Sequence, residues 1–509
     1  SAGTLVVTDK ESGLWTDGRY FVQAAKQIED SEIKLYKMAV KGFPTVSEFL
    51  KLKLSKGDVL GLDGEVTALS LFEEYKNALA PCGAAIKSVP CVDECWADRP
   101  QIPASELYVH EIKFTGLTAA EKIDIVRKKL KEDNANSYVI SGLTSIIWLL
   151  NVRAEDVKLN PYCVSFCMVT PTETLLFINN ARVPETVKKH FKDNGVTLKN
   201  YEDILPFVKA YEKKETFLVD KANTSWDLFN AINENKNLKV VYGEDPITML
   251  KAVKSEVEIK NIKNAHVKDG CAMVRFQIAL EKKLNAKEKV TELDVVNMVL
   301  DERKKEKDFL FESFSTIAAY GANAAMMHYS PTPENNATVG DHGFLLLDNG
   351  GHYLDGTTDT TRTYAVGALT QKEKEYYTLV LKSHVDLAMV WFLEGITGGG
   401  IDIIARNPLW KKGLDYRCGT GHGVGYLGGI HEGPQSMRRA NPVAFVPGMT
   451  VTDEPGIYEE GEVGIRIENG LLCVNKAENE YGKFLGFETI TYVPYDLTPI
   501  VTDMLDREE

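Results

Sequence analysis

The stretch Leu345-Leu346-Leu347-Asp348-Asn349-Gly350-Gly351-His352-Tyr353-Leu354-Asp355-Gly356-Thr357-Thr358-Asp359 narrows what this chain can fold into more than any other. An apolar run ends on an aspartate, a Gly-Gly turn follows, and a second strand-like run climbs to another aspartate. Two strands joined by a tight turn fit this pattern, and Asp348 and Asp359 can then face one pocket. The residues leave a second reading open, an ordinary hairpin whose aspartates cap turns. Three further polar positions bear on the choice, each in its own glycine-marked segment: His422, Glu454 and Glu468. Taken together, the five read as a two-metal hydrolase site, in which paired carboxylates offset the repulsion between two dications.

His422 stands in Gly419-Thr420-Gly421-His422-Gly423-Val424-Gly425, and His431 follows in His431-Glu432-Gly433-Pro434. A lone histidine is usually structural; two in neighbouring glycine loops point to function as readily as to structure. In Thr450-Val451-Thr452-Asp453-Glu454-Pro455-Gly456, Glu454 stands at the end of an apolar strand before a Pro-Gly turn. In Gly464-Ile465-Arg466-Ile467-Glu468, alternation puts Ile465 and Ile467 on one face and Arg466 and Glu468 on the other. That polar face is either solvated or buried. The flanking apolar segments favour burial, where a carboxylate needs a metal or a cation. His328 closes the apolar run Ala324-Ala325-Met326-Met327 and reads equally as a buried, hydrogen-bonded ring or a catalytic one. Asp355 reads as a turn residue, not a ligand. Four carboxylates and one imidazole make a hard, oxygen-rich donor set, which favours Mn2+, or else Co2+ or Fe2+, over a thiolate zinc site.

A chain of 509 residues exceeds one core and predicts several domains. Up to about residue 245 short strands alternate with amphipathic helices, the pattern of α/β domains. Leu5-Val6-Val7-Thr8 and Cys167-Met168-Val169-Thr170 precede similar turns and strands, and Val59–Asp63 and Phe217–Asp220 precede helices carrying Leu-Phe. The offset of about 160 residues predicts a duplicated domain. The first copy lacks a counterpart of residues 118–160, and no initiator Met is present, so natural residues are expected before Ser1. Met249–Leu284 reads as a long helix broken near Gly270, Thr291–Lys304 as a helix capped by Thr291, and Gln371–Leu393 as one capped by Thr370. The domains are expected at 1–113, 114–250 and 251–509. The formal charge of −14 comes without basic clusters and argues against nucleic acid and anionic membranes as partners. No apolar run is long enough for a transmembrane helix, and no signal peptide pattern opens the chain. Eight scattered cysteines read as free thiols in a reducing, cytoplasmic setting.

The motifs together resemble a known family. The set Asp348, Asp359, His422, Glu454 and Glu468 is similar to the metal site of the creatinase/methionine-aminopeptidase "pita-bread" metallopeptidases. The longer strings Met327-His328-Tyr329, Asp355–Thr363, Gly419–Gly425, His431–Pro434, Thr452–Gly456, Gly464–Asn469 and Ile146–Arg153 resemble the long, three-domain Xaa-Pro aminopeptidases (aminopeptidase P). The resemblance implies two creatinase-N-like α/β domains before a pita-bread catalytic domain, two divalent metals, a homodimer, and peptide substrates with proline second. Prolidase chemistry on Xaa-Pro dipeptides is the alternative, and a non-catalytic peptide- or histone-binding pita-bread protein a remoter one. By the same resemblance Asp348 chelates one metal, Asp359 and Glu468 bridge, and His422 and Glu454 bind the other. A bridging hydroxide attacks, and Glu454 shuttles the proton. His328 and His431 hold the substrate carbonyl and its oxyanion, and Arg466 orients a carboxylate or assists recognition of proline. Cys418 stands where many relatives carry a histidine. Its thiol is either sensitive to oxidation or an inert small residue.

Overall fold

A computed structural model of the chain describes residues 3–93 and 95–509; Ser1, Ala2 (the start of the expected first domain) and Glu94 lie outside the described residues. The described chain forms two compact units. Thr4–Trp15 with Tyr36–Lys251 makes one, and Thr16–Leu35 with Ala252–Glu509 makes the other.

The first unit carries a repeated strand plan. Thr4–Val7 pairs antiparallel with Ser12–Thr16, as Phe166–Val169 does with Thr174–Phe177. Val59–Leu62 pairs parallel with Ala85–Ser88, as Glu215–Val219 does with Leu238–Tyr242. In the second copy these pieces belong to one six-stranded sheet, because Ser137–Ile140 pairs with both Phe166–Val169 and Glu215–Val219. That joining strand comes from the stretch that the first copy lacks, and there the pieces stay in separate small sheets. The joined sheet has the deeper core: Tyr138, Ile140, Cys167, Val169 and Leu176 on one face pack with the helices Ala119–Glu132 and Leu143–Leu150.

The second unit is built around the expected aspartate hairpin. Phe344–Asn349 is the middle strand of three, flanked antiparallel by Ile317–Tyr320 and Thr360–Ala365. Its residues divide by alternation. Leu345 and Leu347 pack on Met273, Phe276 and Leu280 of the long helix Glu256–Asn285, whereas Leu346 packs with Ala319, Ala324 and Tyr329. Asp348 is in phase with Leu346 and so turns away from the helix. A four-stranded sheet runs Trp391–Leu393, Gly482–Thr489, Asn469–Asn479, Thr450–Asp453.

Two expected elements need correction. The long helix runs unbroken through Gly270; the interruption lies between Pro246–Ala252 and Glu256–Asn285, where Ser255 caps the new helix with Glu258 in a capping box. Gly270 is there for packing, since a Cβ would stand 3.0 Å from the Tyr492 carbonyl oxygen. The helix capped by Thr370 ends at Ala388, and Trp391–Leu393 is instead an edge strand. Its burial alternates, with Phe392 inside and Trp391 and Leu393 exposed. The helix Gly398–Trp410 carries a weak sequence signal because its first three residues are glycines, each about 1 kcal/mol less favourable than alanine in a helix.

Candidate metal centre

The hairpin, the His422 loop and the two glutamate strands converge on one buried spot. Asp348 lies opposite Thr361 across the antiparallel pair. A two-residue period therefore lines Asp359, Thr361 and Thr363 along one edge of the pocket. Thr361 donates through Oγ1 to Glu468 Oε2 at 2.7 Å, and Thr363 donates to the Arg466 carbonyl at 2.8 Å. Ile465 and Ile467 face the helix Gln371–Ala388 with Tyr377 and Val380. Arg466 and Glu468 turn the other way and are buried too, at 3% and 1% exposure, so the solvated reading of this strand does not hold.

The His422 loop is wedged between two backbones. A Cβ on Gly421 would meet the Thr452 carbonyl oxygen at 1.8 Å, and one on Gly423 the Glu432 carbonyl oxygen at 2.1 Å. These glycines let the histidine loop lie directly against the strand leading to Glu454. His422 Nδ1 is 3.1 Å from the Gly423 carbonyl, which fixes the proton on that nitrogen. The bare Nε2 then faces Asp359 Oδ2 at 3.5 Å and Glu454 Oε1 at 3.4 Å. Asp359, His422 and Glu468 each offer a ligand atom within 4.8 Å of the others.

The electrostatics of this cluster are unfavourable without a cation. Burial, then Asp348 and Glu454, push the Asp359 carboxyl far above the usual range; burial, then Asp359 and Glu454, do the same to Glu468. Glu454 is pushed up to about 7, mainly by burial. The direct ionic partner is Arg466, which donates through Nη2 to Asp348 Oδ2 at 2.6 Å, through Nη1 to the Tyr458 hydroxyl at 2.8 Å and through Nε to Thr361 Oγ1 at 3.2 Å. Asp348 Oδ1 is buried with no hydrogen-bond partner. One guanidinium among four carboxylates, an orphaned carboxylate oxygen and a bare imidazole nitrogen aimed at two carboxylates fit divalent cations bound between them. Asp355, by contrast, is tied to the long helix, accepting from Asn264 and from Lys268 at 2.6 Å each.

His431 and His328 border the cluster. The His431 ring stands perpendicular to His422 at 4.2 Å, and it is pushed down to about 3, first by His422 and then by burial. His328 follows the turn of 3-10 helix Gly321–Ala325 and is also pushed down to about 3, chiefly by burial and then by Arg466. Both rings are neutral in the physiological range. The Cys418 thiol is pushed up to about 12 by burial and then by Glu454.

Sequence reasoning missed the residues that reach this pocket from far away. The Tyr20 ring lies 4.9 Å from His328, and Arg19 donates to Asp17 through Nε at 2.9 Å and Nη2 at 2.8 Å. Gly18 packs on Arg417. Nothing local to residues 17–20 signals a partner 300 residues on. Thr361 was readable, by counting two from Asp359.

Comparison with known proteins supplies a family. Residues 260–475 match the metallopeptidase family M24 model, and residues 1–95 and 98–258 each match a creatinase/prolidase N-terminal domain. Aminopeptidase P2 of Arabidopsis thaliana is 36% identical, the match spanning all of this chain and 77% of that protein. Xaa-Pro aminopeptidase 1 of Dictyostelium discoideum is 36% identical over all of this chain and 83% of its own length. The crystal structure of X-prolyl aminopeptidase from Caenorhabditis elegans, described as a cytosolic enzyme with a di-nuclear active site, superimposes with a TM-score of 0.95 at 33% identity, covering 99% of this chain and 84% of that one. A prolidase from Pyrococcus horikoshii shares the fold at 22% identity and a TM-score of 0.59.

Proposed function

This chain belongs to metallopeptidase family M24, among its Xaa-Pro aminopeptidases, and on that premise we propose how its own residues release the N-terminal residue of a peptide whose second residue is proline. The observation that carries the reading is His422 Nε2 lying 3.5 Å from Asp359 Oδ2 and 3.4 Å from Glu454 Oε1 within the carboxylate cluster. Asp348, Asp359, His422, Glu454 and Glu468 would hold two divalent metals, Mn2+ being the choice for so oxygen-rich a set. When bound, such ions act as Lewis acids and bring the pKa of water towards neutrality.

The chain's own residues supply the rest. His328 and His431 bind the scissile carbonyl and donate to its oxygen as negative charge develops. Being neutral, they present the same donor across the physiological range. Glu454, beside His422, carries the proton from the attacking water to the departing prolyl nitrogen. That nitrogen belongs to an imide, which has no N–H to hold and a fixed φ, so the pocket must recognise the ring and not a donor. Arg466 keeps Asp348 oriented through its 2.6 Å hydrogen bond. Cys418 is taken as an inert small residue.

The division at residues 113 and 250 belongs to the same proposal, supported by the separate strand plans of the two copies. So do a cytoplasmic location and a homodimer through the third domain. Among the described residues no helix is long and apolar enough to cross a membrane. The test is metal analysis with a peptide-length series. Hydrolysis of Xaa-Pro tripeptides and longer peptides by protein holding two ions per chain is expected. Activity confined to the Xaa-Pro dipeptide would make the enzyme a prolidase.

A further inference from the structure

Glu454 follows the strand Thr450–Asp453 and Glu468 precedes the strand Asn469–Asn479, yet their spacing must be held closely if both are to touch one metal pair. Their chain neighbours are cross-strand partners: Asp453 lies opposite Asn469. By alternation these two point away from the site, to the back of the sheet. There both meet one imidazole, His384 of the helix Gln371–Ala388, which is wholly buried. His384 Nδ1 lies 3.1 Å from the Asp453 carbonyl oxygen and 3.1 Å from its Oδ2. Nε2 lies 2.9 Å from the Tyr495 hydroxyl and 3.0 Å from Asn469 Nδ2. Asn469 Nδ2 also donates to the Tyr495 hydroxyl at 2.7 Å. Arg362 closes the group, donating to Asn469 Oδ1 at 2.8 Å and to the Glu468 carbonyl at 2.7 Å.

Resting on the ligand assignment above, we propose that His384 is a positioning residue for the metal pair. By gripping Asp453 and Asn469 at once, it sets the distance between Glu454 and Glu468 from behind the sheet. A core filler would not need both ring nitrogens engaged on the two residues that flank the ligands. Supporting groups of this kind, when removed, typically cost 10–100-fold in metal affinity or activity.

The test measures Mn2+ affinity and stoichiometry by competition with a chromophoric chelator, for the full chain and four variants. Asp359→Ala reports on the ligand assignment itself. His384→Leu removes both polar contacts, and His384→Asn keeps an amide within reach of Asp453. Leu387→Ala, a core truncation on the same helix, controls for lost stability. Wild type is expected to bind two ions and Asp359→Ala to lose them. His384→Leu should bind about 10–100-fold more weakly, with kcat lowered and KM little changed at saturating metal, His384→Asn should recover part of the loss, and Leu387→Ala should bind as wild type does. Should His384→Leu fail to fold, Tyr495→Phe removes one hydroxyl from a half-buried ring and is expected to weaken binding in the same direction. Wild-type affinity in His384→Leu or Tyr495→Phe, or an equal loss in Leu387→Ala, overturns the positioning role. Unchanged binding in Asp359→Ala overturns the ligand assignment instead.

Discussion

At the scale of single residues, the proposed site separates groups that would hold cations from groups that would hold substrate. Asp359 and Glu468, whose ionisation burial and their neighbours oppose, belong to the first kind. Asp359→Ala or Glu468→Ala is expected to remove bound metal and turnover together, as read by metal analysis beside a peptide assay; a metal-free Asp359→Ala protein with normal activity would refute the centre. His431 belongs to the second kind. His431→Ala should keep its metal while kcat falls by about 100-fold, the usual cost of an oxyanion donor. A buried ring of the long helix, which lines a cavity together with Asp359, makes a pH prediction. His266 is held neutral by burial, its pKa pushed down from the ordinary 6.5 to about 4. Below pH 6.5 the unfolded chain takes up a proton that the folded ring refuses. Stability should therefore fall between about pH 6.5 and pH 4, by about 3 kcal/mol once complete, with no contribution above that window. Chemical denaturation of His266→Gln across that window should give a flatter profile than wild type. Asp348, Asp359, His422, Glu454 and Glu468 were legible as candidates because each sits beside its own turn signal, whereas the division of roles among them came from the family resemblance. Arg19 and Tyr20 were not, since the contact with His328 is made by tertiary packing alone.

Among the elements, what was legible follows the range of the forces involved. Caps are local: Thr118, Thr291 and Thr370 each accept from the backbone three residues on and anchor the helices expected there. A glycine in a helix signals weakness by propensity, while the cause of Gly270 is the Tyr492 backbone 3.0 Å away, in the irregular segment that follows the strand Gly482–Thr489. Gly270→Val should destabilise by about 1–3 kcal/mol through overpacking, seen as a lower urea midpoint at unchanged slope. A neutral result would mean that the Tyr492 backbone yields freely. The end of the Thr370 helix was missed for another reason: the edge strand at Trp391–Leu393 is too short for its alternation to register.

For the whole molecule, duplication was legible as a strand-and-turn rhythm, and among the described residues the strand Ser137–Ile140 joins the second copy's pieces into one sheet. Two compact units predict two melting transitions, and bound ions stabilise only the state that binds them. Scanning calorimetry should show a chelator lowering the transition of the unit containing Ala252–Glu509 and leaving the other in place; one transition shifting as a whole would mean that the units unfold together. The membership of Thr16–Leu35 in the metal-bearing unit has a consequence for anyone who takes this enzyme apart. Phe21 and Ala24 are buried there, and Arg417 lies over the Phe21 ring at 6.0 Å. The catalytic half is thus not one continuous length of gene. Expressed from residue 252 onward, it would present His328 without its aromatic cover and a raw apolar scar where the helix Phe21–Gln27 had been. A clone that supplies Thr16–Leu35 in trans, or fused ahead of Ala252, restores these contacts.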